Sequence, residues 1–336
     1  MFNEVQITGG GVAACCCAAL LSKAGMRVFA DLPGRGGSPT LMLSDQTQHL
    51  FTDVFGGGFV QQDAVKINKR LVRWGRDSET VTLPHSGLVV SEAALLARLW
   101  PTLKLQSGKC SEANHWNVIS NKKDLPAVNE HKFGARIALT NSVELSAGAS
   151  RDACWVESTD SGWLFLIPCG EGRGSLISVG APADVLLTES RLVVDQITGL
   201  LESTGSFPAY PRIVSPLCAE GWIACGTAAI AFDPISGEGA GNAMREGILA
   251  SAVIRSAAQG LPAADLLAHY SSRLVSGFLR HLQACCQFYT TGGSGGWWQA
   301  EVELMKLGMA QLPKEMLSNP TSLFKLVGFE LQSISA

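Results

Sequence analysis

The chain has 336 residues, 46% of them hydrophobic and only 16% charged, which is enough apolar chain for one large domain or two interlocked ones. Its net charge of −3 excludes the electrostatic footprint of a nucleic-acid binder. The 10 cysteines include no Cys-x-x-Cys and no His/Cys cluster at zinc spacing, so no disulfide framework and no metal are expected. A reducing, cytoplasmic compartment is expected instead.

No basic, apolar leader opens the chain, and no apolar run reaches the length of a membrane span. Residues 4–8 read as a short apolar strand. Gly9-Gly10-Gly11-Val12-Ala13-Ala14 follows, then a helix over 14–24 ended by Gly25, then a second strand over 27–30 closing at Asp31. A strand, Gly9-x-Gly11-x-x-Ala14, a helix, a strand and an acid about 20 residues on make a dinucleotide fingerprint. Its glycines admit a pyrophosphate to a helix N-terminus, and its acid takes a ribose hydroxyl. NAD and FAD both fit at this point. The Gly/Pro loop 33–39 contains Arg35, which reads either as a contact to adenosine or pyrophosphate or as a solvated charge.

A helix-like stretch over 40–55 ends at Gly56-Gly57-Gly58. Residues 59–90 form a β-rich excursion, with strands at 70–74, 80–83 and 87–90. Ser91 caps a helix over 92–100, 103–106 and 117–120 return as strands, and 122–132 is a polar loop. From 134 to 182 the pattern is β, with strands at 135–139, 154–158, 162–167 and 175–179. Val193, Ile197, Leu200 and Leu201 recur at helical spacing, which predicts an amphipathic helix over 189–203. Residues 222–225 form a short buried strand that leads into a glycine-dense loop, and a helix starts near Ala240. Helices follow over 242–259, 262–290 and 297–309, with a last one near 322–333 and a flexible break at 292–296.

Three motifs in this order resemble those of the FAD-dependent aromatic hydroxylase and halogenase superfamily. They are Gly9-x-Gly11-x-x-Ala14 with Asp31, then Gly162-Trp163-Leu164-Phe165-Leu166-Ile167-Pro168, then Gly226-Thr227-Ala228-Ala229 with Asp233-Pro234 and Gly237-Glu238-Gly239. The resemblance implies an α/β fold with an α+β insert: a Rossmann-like FAD-binding domain (1–58, 91–133 and 210–260), an interleaved β-rich substrate domain (59–90 and 134–209) and a C-terminal helical region (261–336). It implies FAD as cofactor, held by Gly9, Gly11, Ala14, Asp31, Arg35, Gly226, Thr227, Asp233, Pro234, Gly237, Gly239 and Ala240. Trp163 and Phe165 would line the flavin and substrate site, and His49, with His85 beside it, is the candidate base.

The departures from the family pattern carry information. Thr227 stands where the family loop has an aspartate, which replaces a charge-assisted bond to the ribityl chain by a neutral one, about 1 kcal/mol weaker. Ser236 stands where halogenases have a glutamate, Phe165 replaces the second tryptophan of their Trp-x-Trp motif, and Lys66 and Lys69 read as surface charges rather than a halogenase lysine. Halogenation is therefore disfavoured. The stretches at 41–55, 70–75 and 153–157 are similar to flavoproteins that modify tryptophan in partner proteins during quinone cofactor maturation. The resemblance thus implies a monooxygenase using O2 and a reductant on an aromatic group, either a small molecule or a peptidyl tryptophan of a quinoprotein precursor. Two other readings stay open: an FAD-dependent reductase of an isoprenoid-like substrate, and a flavin-binding, chaperone-like protein without turnover. Trp297-Trp298 reads as a partner anchor or as core packing.

Overall fold

The computed structural model describes residues 3–32, 40–110, 115–317 and 323–334. The N-terminal strand Glu4–Thr8 lies between Arg27–Asp31 and His115–Ile119, parallel to both. Trp222–Ala224 adds in parallel beside His115–Ile119, and Cys218–Ala219 closes that edge antiparallel. The expected strand over 103–106 contributes one parallel bridge, Phe29 to Gln106. Successive parallel strands need crossovers, and the first is the helix Val12–Lys23.

That helix is built from small residues, Val-Ala-Ala-Cys-Cys-Cys-Ala-Ala, buried on every side from Val12 to Leu21. It packs against the helix Gly239–Ala258. At Gly247 a Cβ would lie 2.6 Å from the Ala13 carbonyl oxygen and 2.9 Å from Cys16 Cβ. The cysteine run is therefore close helix packing, in which a free Cys acts as a small hydrophobe.

The second sheet has eight strands, in the order Ile197–Pro208, Ile137–Leu145, Arg173–Val179, Gly162–Gly170, Ala153–Thr159, Val65–Arg73, Val81–Ser91 and Thr40–Ser44. Alternation gives it two apolar faces. Cys154, Val156, Trp163, Phe165, Ile167 and Ile177 point inward and share a core with the C-terminal helices. Trp155, Leu164, Leu166 and Leu176 point outward, under Ala183, Leu186 and Val193.

Four expectations change. Residues 40–44 are a strand, and the helix is Asp45–Phe55, capped by the Ser44 hydroxyl accepting from the Thr47 N–H. Part of the polar loop 122–132 is the strand Asn129–Lys132, which pairs with Arg212–Ser215. The helix expected over 189–203 does not form. The buried Glu157 carboxylate instead accepts the N–H groups of Arg191, Leu192 and Val193 at 2.7–3.1 Å and the Ser190 hydroxyl, holding a turn, and Ile197–Pro208 then runs as the edge strand. The last helix is a hairpin, Phe324–Val327 with Glu330–Ser333, turned at Gly328 with φ +59.

The C-terminal helices are Ala263–Gly292 and Gly296–Ala310. The glycines between them are packing positions. A Cβ at Gly292 or Gly293 would lie 2.4 or 2.3 Å from the Trp298 ring, and one at Gly295 would lie 2.6 Å from the Asp160 carbonyl. Trp298 is 1% exposed and donates to the Thr159 carbonyl at 2.9 Å, so it is core.

Candidate functional site

Two backbone features meet at the carboxyl edge of the parallel sheet, where open α/β sheets bind ligands, and a third loop runs from there to the second sheet at Met42, Arg70 and Phe165. Gly9 follows the first strand with φ +103, and its N–H donates to the Asp31 carbonyl at 3.0 Å. A Cβ there would lie 2.9 Å from the Ser120 carbonyl carbon, so only glycine fits. Gly11 is the N-cap of Val12–Lys23 and offers no side-chain cap, which leaves the first N–H groups of the helix for an anion. Ala14 is fully buried in that helix, and Asp31 is exposed at the end of its strand. Arg35 lies outside the described residues.

The second feature is the 3-10 turn Gly226–Ala228. Gly226 has φ +60, and its Cβ position is 3.1 Å from Ala13 Cβ and 3.3 Å from Ser120 Oγ. The turn is therefore pressed against the glycine-rich corner. Behind it the Gly226 N–H donates to Glu246 Oε2 at 2.7 Å. Burial raises the Glu246 carboxyl to about 8, with the Gly226 N–H opposing. The Thr227 side chain is exposed, and its carbonyl accepts from Arg212.

The third feature is the loop over 233–240. Asp233 is 1% exposed, and its carboxylate is fully engaged. Oδ2 pairs with Arg136 at 2.7 Å and accepts the Tyr289 hydroxyl at 2.9 Å, and Oδ1 accepts the Ile235 N–H at 2.9 Å. Arg136 also meets Glu301 at 2.9 Å. Burial lowers the Arg136 pKa, but the Asp233 and Glu301 carboxylates more than reverse this, so the guanidinium stays charged. Pro234 then starts a 3-10 turn that ends at Gly237, with φ +69. Gly239 is exposed with open space around it, and Ala240 is buried in the first turn of a helix whose N-cap, Glu238, makes no side-chain cap.

Asp233 therefore holds the loop through its side chain, and Trp163 is tied into the same network. Trp163 is fully buried, and its indole N–H donates to the Tyr289 hydroxyl at 2.9 Å. Phe165, 1% exposed, lies under the Arg70 guanidinium at 5.6 Å. Arg70 Nη2 is 3.4 Å, and Met42 Cε 2.5 Å, from the Cβ position of Gly237. Arg70 Nε and His85 Nε2 are buried without partners. Burial and the neighbouring Arg70 lower the His85 pKa, against Glu238 and Asp45, so the ring favours its neutral form.

His49 is exposed on the helix Asp45–Phe55, whose buried face is Thr47, Phe51 and Val54. Lys66 is exposed, and Lys69 faces Asp152 at the surface. A cavity of about 260 Å³ on the second sheet is lined by Thr40, Val89, Ser142, Cys169, Arg173 and Ser175 among others. Arg70, Arg136, Tyr289 and Glu246 escaped the sequence reading. The signal present was a lone charge inside an apolar stretch at Arg136, since buried charges must be paired or neutralised. No group of three or more His, Cys, Asp or Glu side chains among the described residues is arranged to hold a metal. Among those residues no helix is long and apolar enough to cross a membrane.

No protein-family model matches the chain. Nor does any curated protein. Solved structures do. The peptidyl tryptophan dihydroxylase QhpG, essential for tryptophylquinone cofactor biogenesis, matches with a TM-score of 0.74 at 17% identity, over 99% of this chain and 86% of its own. The flavin-dependent halogenase CmlS matches at 0.76 and 15%, over 94% and 71%. HpxO of Klebsiella pneumoniae, solved with FAD and uric acid, matches at 0.63 and 14%, over 94% and 97%. The chain has the fold of the FAD-dependent aromatic hydroxylases and halogenases.

Proposed function

We propose that the chain binds FAD and acts as an FAD-dependent monooxygenase on an aromatic group. The observation that carries this is the packing of the Gly9–Gly11 corner against the Gly226–Thr227 turn, joined through the helix Gly239–Ala258 to the open loop at Gly237–Gly239, in a fold shared with such enzymes. Close backbone approach, two helix N-termini without side-chain caps and buried polar atoms without partners fit a long, anionic, hydrogen-bonding cofactor. The N–H groups after Gly11 would take the pyrophosphate and Asp31 a ribose hydroxyl. Thr227 would take a ribityl hydroxyl, and Gly237–Ala240 the electron-rich edge of the ring. When bound and reduced by a two-electron donor, FAD would activate O2, one atom of which enters the aromatic group while the other leaves as water. Trp163 and Phe165 wall the sheet side and exclude water. Arg70 holds a positive charge and a free donor beside Gly237, where negative charge would be stabilised.

The finer reading is hydroxylation of a peptidyl tryptophan in a partner protein during quinone cofactor maturation. It is supported by the likeness to QhpG over nearly the whole chain and by the cavity beyond Cys169, which has room for more than a free aromatic ring. The surface positions of Lys66 and Lys69 weigh against a halogenase. The test is an absorbance spectrum of the purified protein with added FAD, followed by anaerobic reduction and exposure to air. Flavin bands that bleach and return, with reoxidation accelerated by a tryptophan-containing precursor, are expected. A protein that retains no flavin bands once unbound FAD is removed by gel filtration overturns the reading.

A further inference from the structure

Four of the eight tryptophans and one of the three tyrosines form a single connected set. It starts at Trp163 on the inner face of the sheet, whose indole N–H reaches the Tyr289 hydroxyl at 2.9 Å. The Tyr289 ring lies 5.5 Å from Trp298 and 6.0 Å from Trp297, which are 4.8 Å from each other. Trp298 lies 5.6 Å from Trp74, edge to face. Trp74 is half-buried, and beyond it Phe288 is 51% exposed. The set thus runs from the fully buried wall of the candidate site to the surface.

Packing alone does not select these residues. Phenylalanine and leucine fill a core equally well, and the chain has 13 phenylalanines. Indole and phenol rings are the side chains most readily oxidised by one electron, and a phenol gives up its electron only when its proton has somewhere to go. The Tyr289 hydroxyl has a destination, since it donates to Asp233 Oδ2 at 2.9 Å. The Arg136 guanidinium lies 4.1 Å over the Tyr289 ring and opposes its oxidation. That cation is shared by two carboxylates, Asp233 and Glu301, so the cluster carries net negative charge, which favours a positive hole.

We propose that Trp163, Tyr289, Trp298 and Trp74 form a path that carries oxidising equivalents from the candidate site to the surface. Trp163, having lost one electron to an oxygen-centred radical in the cleft that is thereby reduced to its anion, takes an electron from Tyr289, whose phenolic proton passes to Asp233. Tyr289 is restored by an electron from Trp298 and its proton from Asp233. Trp298 is restored by Trp74. Trp74 releases a proton to water and is restored by an electron and a proton from a solution thiol. The proposed oxygen chemistry matters here only as the source of the oxidant in the cleft.

The path is tested without cofactor, so a failure to bind FAD leaves the test standing. A soluble ruthenium photo-oxidant would generate holes at surface aromatics, and transient absorption would separate the narrow tyrosyl band from the broad tryptophanyl band. The expected result is a tyrosyl signal that falls several-fold in Tyr289→Phe and also in Trp298→Phe and Trp74→Phe, which leave Tyr289 in place. Trp222→Phe, off the path, should leave it unchanged. If Tyr289→Phe is too unstable to purify, the two tryptophan variants decide the matter. A tyrosyl yield unaffected by both of them overturns the path.

Discussion

Glu246 shows how one buried group sets a pH dependence. Its carboxyl is raised to about 8 by burial, whereas a free glutamate ionises near ~4.3. Between these values the native state holds a proton that the unfolded chain has released. Stability from this group is therefore full below ~4.3, declines as the pH rises, and reaches its floor near 8. Glu246→Gln keeps an acceptor for the Gly226 N–H and removes the titration. It should match the wild type near pH 4 and exceed it near pH 8 by on the order of 4–5 kcal/mol, as read by urea denaturation at both pH values. An equal difference at the two would show that the carboxyl does not titrate there.

Asp233 acts through its contacts, an ion pair with Arg136 and hydrogen bonds from Tyr289 and the Ile235 N–H. Asp233→Asn would leave Arg136 with Glu301 alone and should cost about 3–5 kcal/mol, seen as a large drop in Tm. At Thr227 the side chain is exposed and Arg212 lies beneath its carbonyl. Thr227→Asp should therefore tighten FAD by about 1 kcal/mol, roughly fivefold in Kd. Titration by flavin fluorescence reads this directly, and an unchanged Kd would remove Thr227 from the proposed ribityl contact.

At the scale of elements, the contact between Val12–Lys23 and Gly239–Ala258 decides how the first and third motifs meet. Gly247→Ala gains about 1 kcal/mol of helix propensity. Its Cβ would sit 2.6 Å from the Ala13 carbonyl, and overpacking of this kind costs about 1–3 kcal/mol. The net expectation is destabilisation, with FAD affinity falling as Ala13 and the Gly226 turn move apart. Thermal melts with and without FAD check both parts, and a more stable variant would mean that the helices are not in the contact described. The 189–203 stretch teaches the same lesson from the other side. Its apolar spacing was helical, yet a carboxylate on a neighbouring strand, Glu157, captured its first N–H groups.

At the scale of the molecule, the second sheet shares its inner core with the C-terminal helices and carries the cavity at Cys169. From Phe165 to Cys169 the strand runs four residues, about 13 Å at ~3.3 Å per residue. A substrate that lies beside Gly237 and also fills the cavity at Cys169 is therefore longer than free tryptophan. A precursor segment containing tryptophan should bind more tightly than free tryptophan, and shortening that segment should weaken binding before it slows any chemistry. Equal, negligible affinity for both in calorimetry would count against a peptidyl substrate.

The sequence by itself determined the local features. Gly9, Gly11 and Asp31 were legible because a strand, a tight turn and a helix lie within one short stretch, where sterics allow few conformations. The strands at 153–179 were legible from their composition and boundaries, and the cap at Ser91 from a single hydroxyl before an apolar run. Only the tertiary structure decided the rest. Tyr289 and Arg136 meet Asp233 across 56 and 97 residues of chain, and Glu301 meets Arg136 across 165, and no local period encodes such a pairing. The strand at 40–44 and the hairpin at 324–333 took their form from partners and turn geometry rather than from propensity. His49 fell on the solvent side of its helix because Thr47, Phe51 and Val54 claimed the buried face. Burial and hydrogen bonding between distant segments, which a linear pattern does not contain, are what joined the three motifs.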